Sequence, residues 1–124
     1  MQTLCKAERL FGKKQVDFLF EKGERFTVEN FVIVWIYKDN PSVFPVQILI
    51  SIPKKKIGKA TTRNKLKRLV KEAYRKQKKL LYEPLANQKK QIQVAIIYQN
   101  TKTVSYKRIE SEINSALNRL INKL

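Results

Sequence analysis

The chain has 124 residues, 43% of them hydrophobic, and a formal net charge of +17 from 27 Lys and Arg against 10 Asp and Glu. This length suits one domain with its own hydrophobic core, so we expect a single domain over residues 1–124. The excess of cations points to a polyanionic partner: nucleic acid, an anionic membrane surface or an acidic protein.

The composition also excludes most kinds of catalysis. The chain has no histidine, which removes the commonest general acid and base, the Ser-His-Asp arrangement and most zinc sites. Its ten acids are not paired in a recognisable metal motif, and its three glycines form no phosphate-binding loop. We therefore expect no catalytic residues. The single cysteine, Cys5, is expected to be a free thiol.

Nothing in the sequence points to a membrane or to export. No apolar run approaches the length that a membrane span needs, and the first residues lack an apolar segment followed by a small-residue cleavage site. We therefore expect a cytoplasmic protein.

In chain order, the first pattern is helical. Residues 13–22 place Val16, Leu19 and Phe20 on one face, and Gly23 is suited to end the helix. Phe18 points away from that face, which leaves it exposed or available to a ligand.

Strands follow this helix. Residues 31–37 are β-branched and aromatic throughout, as in a strand covered on both faces, and a further strand is possible near 25–28. A strand at 46–52 then leads directly into a basic loop. The turn residues that precede it are Asp39, Asn40, Pro41 and Ser42.

The centre of the chain, residues 54–79, is its most charged part. It contains thirteen Lys and Arg and one acid, Glu72, which is a net charge of +12. A helix over residues 63–81 has an apolar stripe and an opposite polar face, and Pro84 helps to end it. The stripe consists of Leu66, Leu69, Val70, Ala73, Tyr74, Leu80 and Leu81. The opposite face consists of Asn64, Arg68, Lys71, Arg75 and Lys78.

The start of this helix predicts an anion site. Thr61 or Thr62 can cap it, yet its first turn holds the cations Arg63, Lys65 and Lys67 at the positive end of the helix dipole. A bound phosphate would compensate this unfavourable arrangement. Gly58 allows a bend that directs two further cations to the same phosphates. These cations are Lys55 and Lys56.

The last part of the chain predicts a strand at 92–98 and an amphipathic helix capped by Thr103 or Ser105. With the preceding elements this gives an α+β fold, a sandwich of helices on a small mixed sheet. RNA is favoured over DNA as the partner, because the chain lacks a second helix placed for a helix-turn-helix and carries aromatic residues for stacking.

The basic segment resembles the signature of the protein subunit of bacterial ribonuclease P. The pattern KKxGxAxxRNxxKRxxxExxR is present over residues 55–75, and the ERL segment at 8–10 and the LFxxG segment at 19–23 agree with it. The similarity extends over nearly the whole chain. Lys65 and Lys71 stand where that family usually has arginines, which keeps the charge but not the planar fork of a guanidinium.

The resemblance implies a fold and a division of labour. The implied order is α-β-β-β-α-β-α in a two-layer α/β sandwich, with a left-handed crossover through the basic helix, which general handedness rules do not predict. In that family a large RNA cleaves precursor tRNA at its 5′ end with Mg²⁺ that the RNA mainly holds. The protein binds this RNA and the 5′ leader, and no metal ion and no further protein partner is implied for it.

The resemblance also assigns residues. The implied leader-binding residues are Phe18 or Phe20, together with Tyr37 from the sheet. The implied contacts to the catalytic RNA are Lys55, Lys56, Arg63, Asn64, Lys65, Lys67, Arg68, Lys71 and Arg75. Two alternatives remain open: a stand-alone RNA-binding protein of ribosomal or nonspecific type, and an interaction domain for an acidic protein.

Overall fold

A computed structural model describes residues 8–10, 12–38 and 44–124 of the chain. Cys5 and the predicted turn at 39–42 lie outside the described residues. The helices are α1 (Lys13–Lys22), α2 (Ala60–Gln77), α3 (Lys79–Gln88) and α4 (Tyr106–Lys123). The strands are β1 (Glu24–Val28), β2 (Phe31–Tyr37), β3 (Val46–Ser51) and β4 (Ile92–Tyr98).

The four strands form one mixed sheet in the order β1-β2-β4-β3. β2 is antiparallel to β1 and β4, whereas β3 is parallel to β4, with Val46 opposite Ile92. Because parallel neighbours need a crossover, α2 and α3 connect β3 to β4. The α+β class, the mixed sheet and the possible strand near 25–28 are confirmed. The left-handedness of the crossover stays a prediction.

Apolar side chains pack on both faces of the sheet, because residues of each strand point alternately to opposite sides. Phe31, Ile33 and Trp35 of β2 join the larger core under α2, α3 and α4. Val34 belongs to a smaller cluster on the other face, with Leu19 of α1 and Leu10. This explains why residues 31–37 are apolar throughout.

The basic helix is interrupted where the sequence predicts continuity. α2 ends at Gln77, and a separate helix α3 begins at Lys79, so the predicted single helix over 63–81 is wrong at its end. Leu80, placed on the apolar stripe, is 36% exposed because the interruption changes the helical phase. Pro84 lies inside α3 instead of ending it. The helix ends at Gln88, where Lys89 adopts a left-handed conformation (φ 55°).

Gly23 ends α1, as predicted, but for a reason of space. Its φ is −71°, an angle that any residue adopts. A Cβ atom there would lie 2.5 Å from the carbonyl oxygen of Leu19 and 2.9 Å from Cγ1 of Val34. The close approach of α1 to β2 therefore requires glycine.

The start of α4 confirms one of the two predicted caps. The Ser105 hydroxyl accepts a hydrogen bond from the backbone N–H of Arg108 (3.3 Å). Within α4, the buried carboxylate of Glu112 accepts from Arg108 Nε (2.8 Å) and from the backbone N–H of Asn30 (3.0 Å). Glu112 thereby fixes α4 to the turn between β1 and β2.

Candidate nucleic-acid interface

Helix α2 is anchored to the sheet by its apolar stripe. Leu66, Val70, Ala73 and Tyr74 are buried in the larger core, as predicted. At 100° per residue, the opposite side carries Asn64, Arg68 and Arg75 along its crest. This packing fixes which side chains α2 presents to a partner.

The predicted RNA contacts surround this crest, and we call these nine residues the basic ridge. At 100° per residue, Lys65 lies on one flank of α2, and Lys67 and Lys71 lie on the other. Lys55 and Lys56 occupy an exposed turn just before α2. Six side chains are exposed: Lys55, Lys56, Asn64, Lys65, Lys67 and Arg68. Three are partly buried: Arg63, Lys71 and Arg75.

The first turn of α2 differs from the sequence prediction. The N-cap is Lys59, which makes no side-chain cap, so neither Thr61 nor Thr62 has that role. Arg63 instead fixes the preceding loop, because its Nη1 donates to the carbonyl oxygens of Gly58 (2.9 Å) and Ile57 (3.2 Å). Gly58 has no positive φ, and a Cβ atom there would meet nothing within 4 Å. The bend therefore does not depend on glycine.

The single acid of the basic segment pairs with a ridge arginine. Glu72 accepts from Arg75 Nε at 2.9 Å and from Arg75 Nη2 at 2.5 Å. The hydrogen bonds from Arg75 lower the pKa of the Glu72 carboxyl, and the same contact raises the pKa of Arg75. The pair orients the guanidinium along the crest and neutralises part of its charge.

Lys78 does not belong to the polar face where the sequence places it. It is buried at the junction of α2 and α3, where its Nζ lies 2.8 Å from a carboxylate oxygen of Glu8. The hydroxyl of Tyr82 donates to the same oxygen. A buried ammonium needs such a partner, and the Glu8 carboxylate comes from 70 residues away in the chain.

The two candidate aromatic residues of α1 lie on opposite flanks of that helix. Phe18 is 52% exposed, whereas Phe20 packs partly into the smaller core cluster. Gln15 shares the flank of Phe18, because the two residues are three positions apart. The Gln15 side chain reaches Gln93 of β4, so Phe18 borders the open surface toward β4 and β3.

Tyr37 lies on the other face of the sheet from α1, so it does not share a surface with Phe18 and Phe20. Its contact with the leader stays a prediction. Its ring contacts that of Trp35 (5.2 Å between centroids), which belongs to the larger core. The Nζ of Lys90 lies 5.3 Å from the Tyr37 centroid. Residues 35 and 37 share a face because side chains alternate along a strand.

Three glutamines line the surface beside α1, and the sequence reasoning missed them. Nε2 of the buried Gln93 donates to Oε1 of Gln47 (3.3 Å) and of Gln15 (3.4 Å). Gln47 Oε1 also accepts from Lys38 Nζ (2.7 Å). The available signal is that Gln47 and Gln93 interrupt apolar strands, but their adjacency depends on the parallel register.

The described acids do not form a metal site. Within residues 8–10, 12–38 and 44–124, no three acidic or cysteine side chains converge to hold an ion. No helix in the same ranges is long and apolar enough to cross a membrane.

The fold and the basic ridge define a class of protein: a small α+β RNA-binding protein whose cationic helix is held on a sheet. Residues 4–121 match the family described as Ribonuclease P. The chain therefore belongs to the ribonuclease P protein family. Its function is that of the protein component, which acts with an RNA subunit in processing the 5′ end of tRNA.

Individual relatives agree with this assignment. The chain is 32% identical over 119 residues to the ribonuclease P protein component of Petrotoga mobilis, covering 96% of each chain. It is 29% identical over 117 residues to that of Porphyromonas gingivalis, covering 94% of this chain and 85% of the relative.

Solved structures of the family have the same fold. The RNase P protein from Thermotoga maritima superposes with a TM-score of 0.72 at 25% identity, over 90% of this chain and 96% of that one. The Staphylococcus aureus RNase P protein gives a TM-score of 0.69 at 21% identity, over 93% and 96%.

Proposed function

We propose that the basic ridge binds the catalytic RNA and that the surface beside α1 holds the single-stranded leader of precursor tRNA. The observation that carries this proposal is the separation of the two surfaces. The ridge lies on α2, on one face of the sheet, whereas α1 covers part of the other face. One small domain can therefore contact two polyanions at once.

The ridge suits a folded RNA because its cations have fixed positions. Four buried side chains anchor α2 to the sheet, and the crest residues project from the opposite side of this helix. Lys and Arg side chains at fixed spacings along α2 can each contact one phosphate of a folded RNA. Each such contact releases counterions from the RNA. Lys65 and Lys71 contribute charge without bidentate geometry.

The surface beside α1 suits a single strand because it offers stacking and hydrogen bonding together. Phe18 is an exposed ring on which a base can stack. Gln47, held by the buried Gln93 and by Lys38, presents its amide to base edges, and Lys38 adds a cation for a backbone phosphate. Phe18 is a better candidate than the packed Phe20, whereas Tyr37 lies on the opposite face of the sheet.

We assign cleavage to the RNA subunit. The chain has no histidine to act as a general acid or base, which supports this assignment. In this proposal Mg²⁺ is held mainly by the RNA, as the family resemblance implies. The protein's contribution is to neutralise charge, which lets the catalytic RNA and the precursor approach each other and lowers the Mg²⁺ that they require.

A nuclease assay tests this function. The protein alone should not cleave precursor tRNA, whereas adding it to the cognate RNA subunit at low Mg²⁺ should strongly stimulate cleavage. Absence of stimulation would contradict the proposal. Equal affinity for duplex DNA, mature tRNA and leader-bearing precursor would favour a nonspecific binding protein.

Substitution of Arg68 tests the ridge itself. Arg68→Ala should weaken binding to the RNA subunit and lower the slope of log affinity against log salt by about 0.7 to 0.9, one phosphate contact. The side chain lies opposite the buried stripe, so the melting temperature should not fall. Lys107→Ala, an exposed cation at the start of α4, is the control and should bind as wild type.

A further inference from the structure

We propose that Arg9, from outside the basic helix, completes a phosphate-binding site with Lys67 and Lys71 on one flank of α2. The inference rests on the proposed RNA-binding function and gives a role to Arg9, which lies in the ERL segment at 8–10 and outside the signature at 55–75.

The backbone of Arg9 is fixed at the outer edge of the sheet. Arg9 forms a parallel bridge with Ile48 of β3, and the N–H of Leu10 donates to the Ile48 carbonyl (2.8 Å). The residues on both sides are buried: Glu8 is 1% exposed, and Leu10 is 3% exposed. An exposed arginine between two buried neighbours is held in position.

The direction of the Arg9 side chain follows from this pairing. Bridged residues of parallel strands point to the same face, and Ile48 belongs to the core under α2 and α4. Leu10 packs on the other face, with α1. Arg9 therefore projects toward α2.

Lys67 and Lys71 lie on the flank of α2 that faces this edge. They are one helical turn apart, and Lys78, on the same flank farther along the chain, is the residue that binds Glu8. Partial burial lowers the pKa of Lys71, and the neighbouring charges of Arg9 and Lys67 lower it further. The three cations are therefore close neighbours.

No described acid forms an ion pair with this group. Among the described residues, none of the five ion pairs involves Arg9, Lys67 or Lys71. Glu72 projects about 100° away from Lys71 around the helix and pairs with Arg75. Three like charges in a fixed group repel one another in the free protein, and a phosphodiester placed among them would remove that repulsion. The phosphate could come from the RNA subunit or from the precursor, and the position beside the ridge favours the RNA subunit.

Binding measurements with Arg9→Ala test the site in two arms. The first arm measures affinity for the RNA subunit across a salt series, and the second measures affinity of the assembled holoenzyme for precursor with and without its leader. In the first arm we expect about tenfold weaker binding and a salt slope smaller by about 0.7 to 0.9. A loss confined to the second arm would support the site and assign its phosphate to the precursor.

Matched variants separate binding from folding. Arg9→Lys keeps the charge and should retain the salt slope. Arg119→Ala removes an arginine that donates to the Thr27 carbonyl, away from the ridge, and should bind as wild type. In the free protein, Arg9→Ala should raise the pKa of Lys71, measured by NMR titration. Wild-type affinity and slope for Arg9→Ala in both arms would overturn the inference. Failure of the wild-type protein to stimulate cleavage would instead overturn the proposed function.

Discussion

Gly23 illustrates how one residue position can be constrained by space alone. Its missing Cβ leaves room for the Leu19 carbonyl and the Val34 side chain. Gly58, which the sequence suggests is needed for a bend, has no such neighbour. The structure therefore requires glycine at position 23 but not at position 58.

This difference predicts opposite results for the same substitution. Gly23→Ala should lower the free energy of unfolding by about 1 to 3 kcal/mol, because backbone and side chain must shift to admit a methyl group. Gly58→Ala should leave it unchanged or raise it slightly, since alanine restricts the unfolded chain. Urea denaturation measures both, and equal effects at the two positions would contradict the spatial explanation.

Glu8 is a buried acid whose negative charge is compensated at the junction of α2 and α3. It accepts from Lys78 and Tyr82, and it attaches the segment at 8–10 to the start of α3. This contact also positions Arg9 beside α2.

Removing the carboxylate should therefore be costly. Glu8→Ala leaves the Lys78 ammonium buried without its anion, so we expect the free energy of unfolding to fall by about 3 kcal/mol. Glu83→Ala, on the exposed side of α3, is the control and should change it by less than about 0.5 kcal/mol. A loss at Glu8 as small as that of the control would show that this ion pair does not hold the segment.

At the scale of elements, the break between α2 and α3 separates two tasks. α2 carries the basic ridge, whereas α3 buries Leu81 and Leu85 and returns the chain to β4. α3 ends at Gln88, and the next residue, Lys89, has a left-handed conformation (φ 55°) that strains a residue with a Cβ atom.

Relief of that strain gives a test of the helix end. Lys89→Gly should raise the free energy of unfolding by about 1 kcal/mol, because glycine adopts positive φ without steric cost. Lys90→Gly, one residue later and without positive φ, should lower it, since glycine there loses more chain entropy and also the contact of Lys90 with the Tyr37 ring. Thermal or urea denaturation compares the two, and stabilisation by both variants would contradict this account.

At the scale of the whole molecule, the main feature is the uneven distribution of positive charge. The chain carries +17, of which a net +12 lies in residues 54–79. Much of this charge surrounds α2, so the free protein is under self-repulsion that its RNA partner would relieve.

Salt should therefore stabilise the free protein. Raising NaCl from about 0.01 M to about 0.15 M shortens the Debye length from about 30 Å to about 8 Å, so the melting temperature should rise. Sulfate, which also strengthens apolar burial, should raise it further. The same salts should weaken binding to the RNA subunit. A melting temperature that falls with NaCl would show that favourable ion pairs outweigh the repulsion.

Periodicity and residue type were enough to predict most of the helices and strands and the position of the basic surface. The alternation in β3, the stripe of α2 and the cap at Ser105 are local features, because each depends on residues a few positions apart. The concentration of cations and the absence of histidine are likewise written in the sequence, and they sufficed to indicate a positioning surface for RNA.

The tertiary structure decided what depends on residues distant in the chain. Lys78 is buried because Glu8 reaches it, and Tyr37 lies away from Phe18 because α1 packs on the other face of the sheet. The place of Arg9 beside α2 depends on its pairing with β3. None of these contacts has a local signal, since each side chain's surroundings are set by elements that only the fold brings together.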